Sequence, residues 1–97
     1  MPSNKLKSVD FEVHGDVQGV FFRKYTRDTA RAHSCVGSVS NTYRGTVIGV
    51  VQGLPENVEF MKRWLQTTGS PMSDIEKCVF TNEREITALQ YQSFKIR

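Results

Sequence analysis

The residues best suited to hold an anion stand early in the chain, in the run Gly15-Asp16-Val17-Gln18-Gly19-Val20-Phe21-Phe22-Arg23. An alternating strand pattern leads into this two-glycine loop, and a helical pattern opening with Arg23 and Lys24 leaves it. Peptide N–H groups in such a loop and in a first helical turn lack intrahelical acceptors and carry partial positive charge. A phosphate or carboxylate is therefore stabilised where they converge. Arg23 adds a planar donor able to grip two oxygens at once. Helix starts normally favour Asp or Glu, yet Arg23, Lys24 and Arg27 crowd the first turns against the dipole, a conflict that a bound anion relieves. The competing reading is an ordinary glycine-containing connection followed by a solvated arginine. Neither G-x-x-x-x-G-K-S/T nor G-x-G-x-x-G occurs, which argues against a P-loop nucleotidase and a dinucleotide fold.

Other chemistry-bearing residues are sparse. No Ser-His-Asp pattern or obvious carboxylate pair stands out, and His14 and His33 are isolated, as a strand-end and a helix-end residue. Cys35 and Cys78 each lie in an apolar, strand-like stretch without a ligand partner at metal spacing, so both read as small packed apolar groups and no metal is expected. Asn41, just before Thr42-Tyr43-Arg44-Gly45, reads on position alone as a turn residue.

The elements that must position these residues follow from periodicity. Val9, Phe11 and Val13 alternate with polar neighbours, as in a half-buried strand. Phe22, Tyr25, Thr26, Thr29, Ala30 and His33 then fall at helical spacing. Residues 35–41 and 46–52 form a predicted hairpin around the Thr42-Tyr43-Arg44-Gly45 turn. A second helix starts near Pro55, carries Val58, Met61, Trp64, Leu65 and Thr68 on one stripe, and ends at Gly69-Ser70-Pro71. Residues 75–81 read as a strand, and a loop or turn over 82–89 leads to 91–97, where Phe94 and Ile96 point one way. The order β-α-β-β-α-β predicts an α+β, ferredoxin-like sandwich, with an antiparallel sheet covered on one face by two helices. In that topology the first and third strands are central neighbours, which brings the start of the first helix toward the strand carrying Asn41.

A chain of 97 residues reads as one domain spanning 1–97, with residues 1–6 expected to be flexible. It has no apolar signal-like start and no run near the roughly 20 residues needed to cross a bilayer, so a cytoplasmic protein without membrane insertion is expected. Thirteen basic against ten acidic residues give a net charge of +3, which raises affinity for anions without choosing one. Nucleic acid is not expected, because the aromatic RNA-recognition signature is absent from the third strand, Thr46-Val47-Ile48-Gly49-Val50-Val51. The alternative to an enzyme is a non-catalytic ferredoxin-like module that binds nucleic acid or a protein partner, with Ile48 and Val50 as an apolar patch.

Taken together, Gly15-Asp16-Val17-Gln18-Gly19-Val20-Phe21-Phe22-Arg23 and Gly37-Ser38-Val39-Ser40-Asn41-Thr42-Tyr43-Arg44-Gly45-Thr46-Val47 resemble the two signature segments of the acylphosphatase family. The resemblance extends through Gly69-Ser70-Pro71, Phe80-Thr81-Asn82-Glu83 and Phe94-Lys95-Ile96-Arg97, and is to the small animal type. It implies a metal-free hydrolase of the carboxyl–phosphate bond with no cofactor, acting as a monomer. The loop Gly15, Asp16, Val17, Gln18, Gly19, Val20 and Phe21 would cradle the phosphate, Arg23 would bind it, and Asn41 would orient the attacking water. Substrates implied are small acyl phosphates and aspartyl-phosphate protein intermediates. Two positions depart from the family pattern. Ser38 replaces a large apolar residue, often tryptophan, and Ser40 replaces a residue that is commonly basic.

Overall fold

A computed structural model describes residues 5–97. Along the chain come β1 (Leu6–Asp16), α1 (Phe22–Ala32), β2 (Val36–Asn41), β3 (Val47–Gly53), α2 (Pro55–Thr67), β4 (Asp74–Ile86) and β5 (Phe94–Ile96). The sheet order is β4-β1-β3-β2-β5, so the first and third strands are neighbours as the topology predicts. Pairing is antiparallel except between β2 and β5, which run parallel and make the sheet mixed. Of the start expected to be flexible, residues 1–4 lie outside the described residues, while Leu6 already pairs with Ile86 in β1.

Alternation divides the sheet into two faces. Val9, Phe11 and Val13 lie opposite Val51, Gly49 and Val47 and turn inward, where Val58, Met61 and Leu65 of α2 and Phe22 and Ala30 of α1 complete the core. Gly49 is needed there, because a β-carbon would strike the Ser38 carbonyl and come 2.5 Å from the Phe11 ring. Phe22 meets Trp64 at 5.8 Å between ring centroids, and His33 stacks on Phe60 at 3.8 Å, so aromatic contacts join the two helices. Thr68 of the predicted α2 stripe is exposed, and Tyr25 on α1 is 41% exposed.

The C-terminal third departs from the expected spans. β4 continues through residues 82–86, expected as a turn, and β5 is a fifth strand, three residues long, beyond the order β-α-β-β-α-β. The cause is a bulge. Across from Ser8 and Asp10, β4 spends Arg84 and Thr81, one residue more than regular pairing needs, and Asn82 takes up the excess at φ 53°. Asn tolerates the left-handed region better than most residues, so the strand kinks and carries on. Lys7 and Lys62 both reach Glu83, at 2.9 and 2.6 Å, which fastens the extension to β1 and α2.

Candidate anion-binding site

A second bulge shapes the entry to the glycine loop. His14 pairs with Lys77 and Gly15 with Ile75, so Glu76 is the extra residue on β4. Gly15 has φ 131°, and a β-carbon there would collide with the Asp74 carbonyl and lie 2.6 Å from the Glu76 nitrogen. Only glycine accommodates this backbone and this approach. Gly15 and Asp16 consequently remain paired residues of β1, and the free loop is 17–21 rather than the seven residues expected to form the cradle.

Within that loop Val17 is buried and Val20 packs against the core, anchoring the backbone from below. Gly19 and Phe21 both adopt positive φ, 72° and 59°, and turns of this kind make the backbone concave toward its N–H groups. α1 begins directly afterwards, with no side-chain cap and no acid in its first turn. The first bond into the helix runs from the Tyr25 N–H to the Phe21 carbonyl at 3.0 Å. Among the described residues no acceptor meets the N–H groups from Gly19 to Lys24. The same stretch borders a cavity of about 280 Å³ lined by Val17, Gly19, Phe21 and Phe22, with Arg23 and Lys24 as its charged groups and Ile96 contributed by β5. Both charged groups are cations. The volume lies just below the roughly 300–1,000 Å³ typical of ligand pockets, which suits a compact group better than a nucleotide.

Gln18 belongs to the loop but does not line this cavity. Its side-chain Nε2 donates to the carbonyls of Thr42 and Thr46, at 2.8 and 2.9 Å, and so binds the loop to the β2–β3 turn. That turn is itself tied down. The Thr42 and Thr46 hydroxyls are 2.7 Å apart, and Thr46 Oγ1 and Arg44 Nη2 both donate to Glu12, at 2.6 and 2.8 Å. These donors, Arg44 first, hold the Glu12 carboxyl below its ordinary value. Asn41 is exposed at the end of β2, one residue before Thr42 and two beyond Val39, the partner of Ile96. It therefore stands at the same end of the sheet as the cavity without being among the residues that line it. Among the described residues neither Arg23 nor Asn41 has a side-chain hydrogen bond or ion pair that would occupy it.

The structure thus brings Val17, Gly19, Phe21 and Arg23 together, with Val20 supporting them, Gln18 bracing the loop and Asn41 nearby. Gly15 and Asp16 line a different, larger cleft of about 640 Å³. Asp16, Asp74 and Glu76 border it beside Arg44 and Lys77, and such mixed charge does not favour a phosphate. Ile96 is a cavity residue that periodicity could not disclose, because its place depends on the parallel pairing of β5 with β2. Elsewhere the chain offers little nucleophilic chemistry. Burial pushes the thiol of Cys35 up to about 11 and that of Cys78 to about 12, which keeps both protonated at neutral pH. Among the described residues no group of three or more His, Cys, Asp or Glu could hold a metal ion, and no helix is long and apolar enough to cross a membrane. The sheet face away from the helices carries Asp10 and Glu12 beside Ile48, Val50 and Val79, with Arg97 at the same depression.

Fold and cavity together define a ferredoxin-like α+β protein with a cavity at a helix N-terminus whose charged lining groups, Arg23 and Lys24, are both cations. Residues 9–96 match the family model described as Acylphosphatase, and the chain belongs to the acylphosphatase family. It is 56% identical over 92 residues to Acylphosphatase-2 of Bos taurus, an alignment covering 95% of this chain and 93% of that protein. Among solved structures, an acylphosphatase from Coxiella burnetii superposes with a TM-score of 0.82 at 30% identity, over 95% of this chain and 93% of that one. The acylphosphatase from Bacillus subtilis gives 0.83 at 26% identity, over 94% and 98%.

Proposed function

We propose that the cavity at the start of α1 is where this acylphosphatase holds the phosphoryl group of an acyl phosphate while water displaces the carboxylate. The chain is a phosphohydrolase of the carboxyl–phosphate bond. The observation that carries the mechanistic reading is that, among the described residues, no acceptor meets the N–H groups from Gly19 to Lys24, in the stretch that lines one cavity together with the Arg23 side of α1. Fixed dipoles and a guanidinium aimed at the equatorial oxygens neutralise charge in the transition state without reorganising. A carboxylate is a weak base and leaves without being protonated, so the absence of a positioned general acid is no obstacle. Asn41 orients the attacking water through its amide, and the brace from Gln18 keeps the cradle in register with that strand end.

The substrates are small acyl phosphates and, because the cavity opens at the surface, phosphorylated carboxylates on proteins. The enzyme works as a cytoplasmic monomer without a metal. Hydrolysis of benzoyl phosphate in EDTA, with p-nitrophenyl phosphate alongside, tests this reading. Metal-independent cleavage of the acyl phosphate and little cleavage of the ester are expected. Loss of activity in EDTA, restored by a divalent cation, would refute the metal-free mechanism.

A further inference from the structure

Phe21 is anomalous on two counts. It is a bulky residue at φ 59°, in the left-handed region that such side chains avoid, and it is 72% exposed. Neither property helps the fold, since the strained backbone is unfavourable and the ring buries little area. Both occur at the mouth of the anion cavity, in the residue that immediately precedes α1. Ile96, 37% exposed, lines the same cavity from β5, while Val17 and Phe22 are fully buried beneath it. One small space thus combines two cations and a set of apolar side chains. A free phosphate ion would use the first group and leave the second wet.

We infer that Phe21 and Ile96 form an acyl subsite, and that it selects acyl phosphates whose acyl group is apolar, aromatic ones above all, over acetyl phosphate and other small polar ones. The inference rests on the phosphoryl group being held at Arg23 and the α1 N-terminus. With the phosphorus there, the acyl carbon is one bridging oxygen away and must leave the cradle past its rim. A ring against Phe21 removes apolar area from water on both partners, and offset or edge-to-face contact between rings adds to it. The strain at Phe21 then has a use, because the left-handed turn sets the residue among those that line the cavity while its ring stays exposed.

The test compares wild type with Phe21→Gly, Phe21→Leu and Ile96→Ala, and with Tyr43→Ala, a 94% exposed ring that does not line the cavity, as control. The readout is the ratio of kcat/KM for benzoyl phosphate to that for acetyl phosphate. Removing one side of an apolar pocket is expected to lower that ratio about tenfold in Phe21→Gly and severalfold in Ile96→Ala. Phe21→Leu, as strained but still apolar, keeps most of the ratio, and Tyr43→Ala leaves it unchanged. An unchanged ratio in Phe21→Gly, or equal ratios in the Gly and Leu variants, would overturn the subsite. Titration with inorganic phosphate and phenylphosphonate separates this from the catalytic reading. Tighter wild-type binding of phenylphosphonate, lost in Phe21→Gly, supports the subsite even in a preparation that hydrolyses nothing, whereas equal binding of the two overturns it. A wild type that binds phosphate but cleaves neither substrate would refute the catalytic reading alone.

Discussion

The side-chain amide of Gln18 donates to the Thr42 carbonyl at 2.8 Å, joining the glycine loop to the strand end that carries Asn41 across 24 positions of sequence. With the second bond to Thr46, both amide hydrogens are committed to backbone carbonyls and neither is free for a phosphate oxygen. Gln18 is therefore a positioning residue. Its replacement by Met keeps the length and removes both donors. That change should lower stability by about 1–2 kcal/mol in urea unfolding and weaken phosphate binding severalfold. Unaltered stability with normal phosphate affinity would show that the brace is dispensable.

Arg23→Gln and Asn41→Ala should each lower kcat for benzoyl phosphate by at least about 10²-fold while leaving the fold intact, by analogy with the loss of one oxyanion donor. Single-turnover kinetics and circular dichroism on the same samples check both halves. A near-normal kcat in either variant removes that residue from the chemistry.

Gly15→Ala acts at a distance from the cavity. A β-carbon at φ 131° would run into the Asp74 carbonyl and the Glu76 nitrogen, both backbone atoms that cannot step aside. The expected cost is at least about 2 kcal/mol in chemical denaturation, because strain and collision add. A neutral substitution would mean that the β1–β4 bulge can relax.

Phe21→Gly should do the opposite to stability. Relief of the left-handed strain outweighs the added freedom of the unfolded chain by about 0.5–1 kcal/mol, so the variant unfolds at higher urea. A fall in the midpoint would show that the ring contributes packing its exposure does not suggest.

The charged cluster on the other side of the molecule sets the pH response. Hydrogen bonds from Lys62 and then Lys7 hold the Glu83 carboxyl below its ordinary value of 4.5. Its contribution is complete above that value and is lost as pH falls through the lowered folded pKa. Lys7 and Lys62 are raised, chiefly by the same bonds, so their share is complete below the ordinary lysine value and disappears as pH rises through the raised one. Stability should therefore be level around neutrality and decline in acid, and Glu83→Gln should flatten part of that acid limb. For activity, a guanidinium and an amide have no proton to lose near neutrality. A broad plateau of kcat around pH 7 is expected, and a sharp bell in that range would contradict the assigned roles.

Periodicity located what is half-buried and regular. Val9, Phe11 and Val13 declared β1, the stripe Val58, Met61, Trp64 and Leu65 declared α2, and each packs inward as its spacing requires. The two bulges escaped it. Asn82-Glu83-Arg84 has the composition of a loop, yet it is strand, because an edge exposes its side chains and Lys7 and Lys62 supply partners from elements far off in sequence. Gly15 reads as the first loop residue because glycine usually breaks strands, whereas here it lets the strand continue past Glu76. That Arg23 and the glycine loop stand together at a helix start was legible from local sequence, since loop and helix start adjoin in the chain. The bracing role of Gln18 and the place of Ile96 were not, since both depend on which strands lie side by side.

The Asn82 bulge also governs how molecules meet one another. β4 is thirteen residues long and lies at the sheet edge, where a row of unpaired backbone groups can template a strand from a second molecule. The kink at Asn82 breaks that row, and Lys77, Glu83, Arg84 and Glu85 put charge along it. The same irregularity that disguised this stretch as a loop keeps the edge from seeding cross-β aggregation at high concentration.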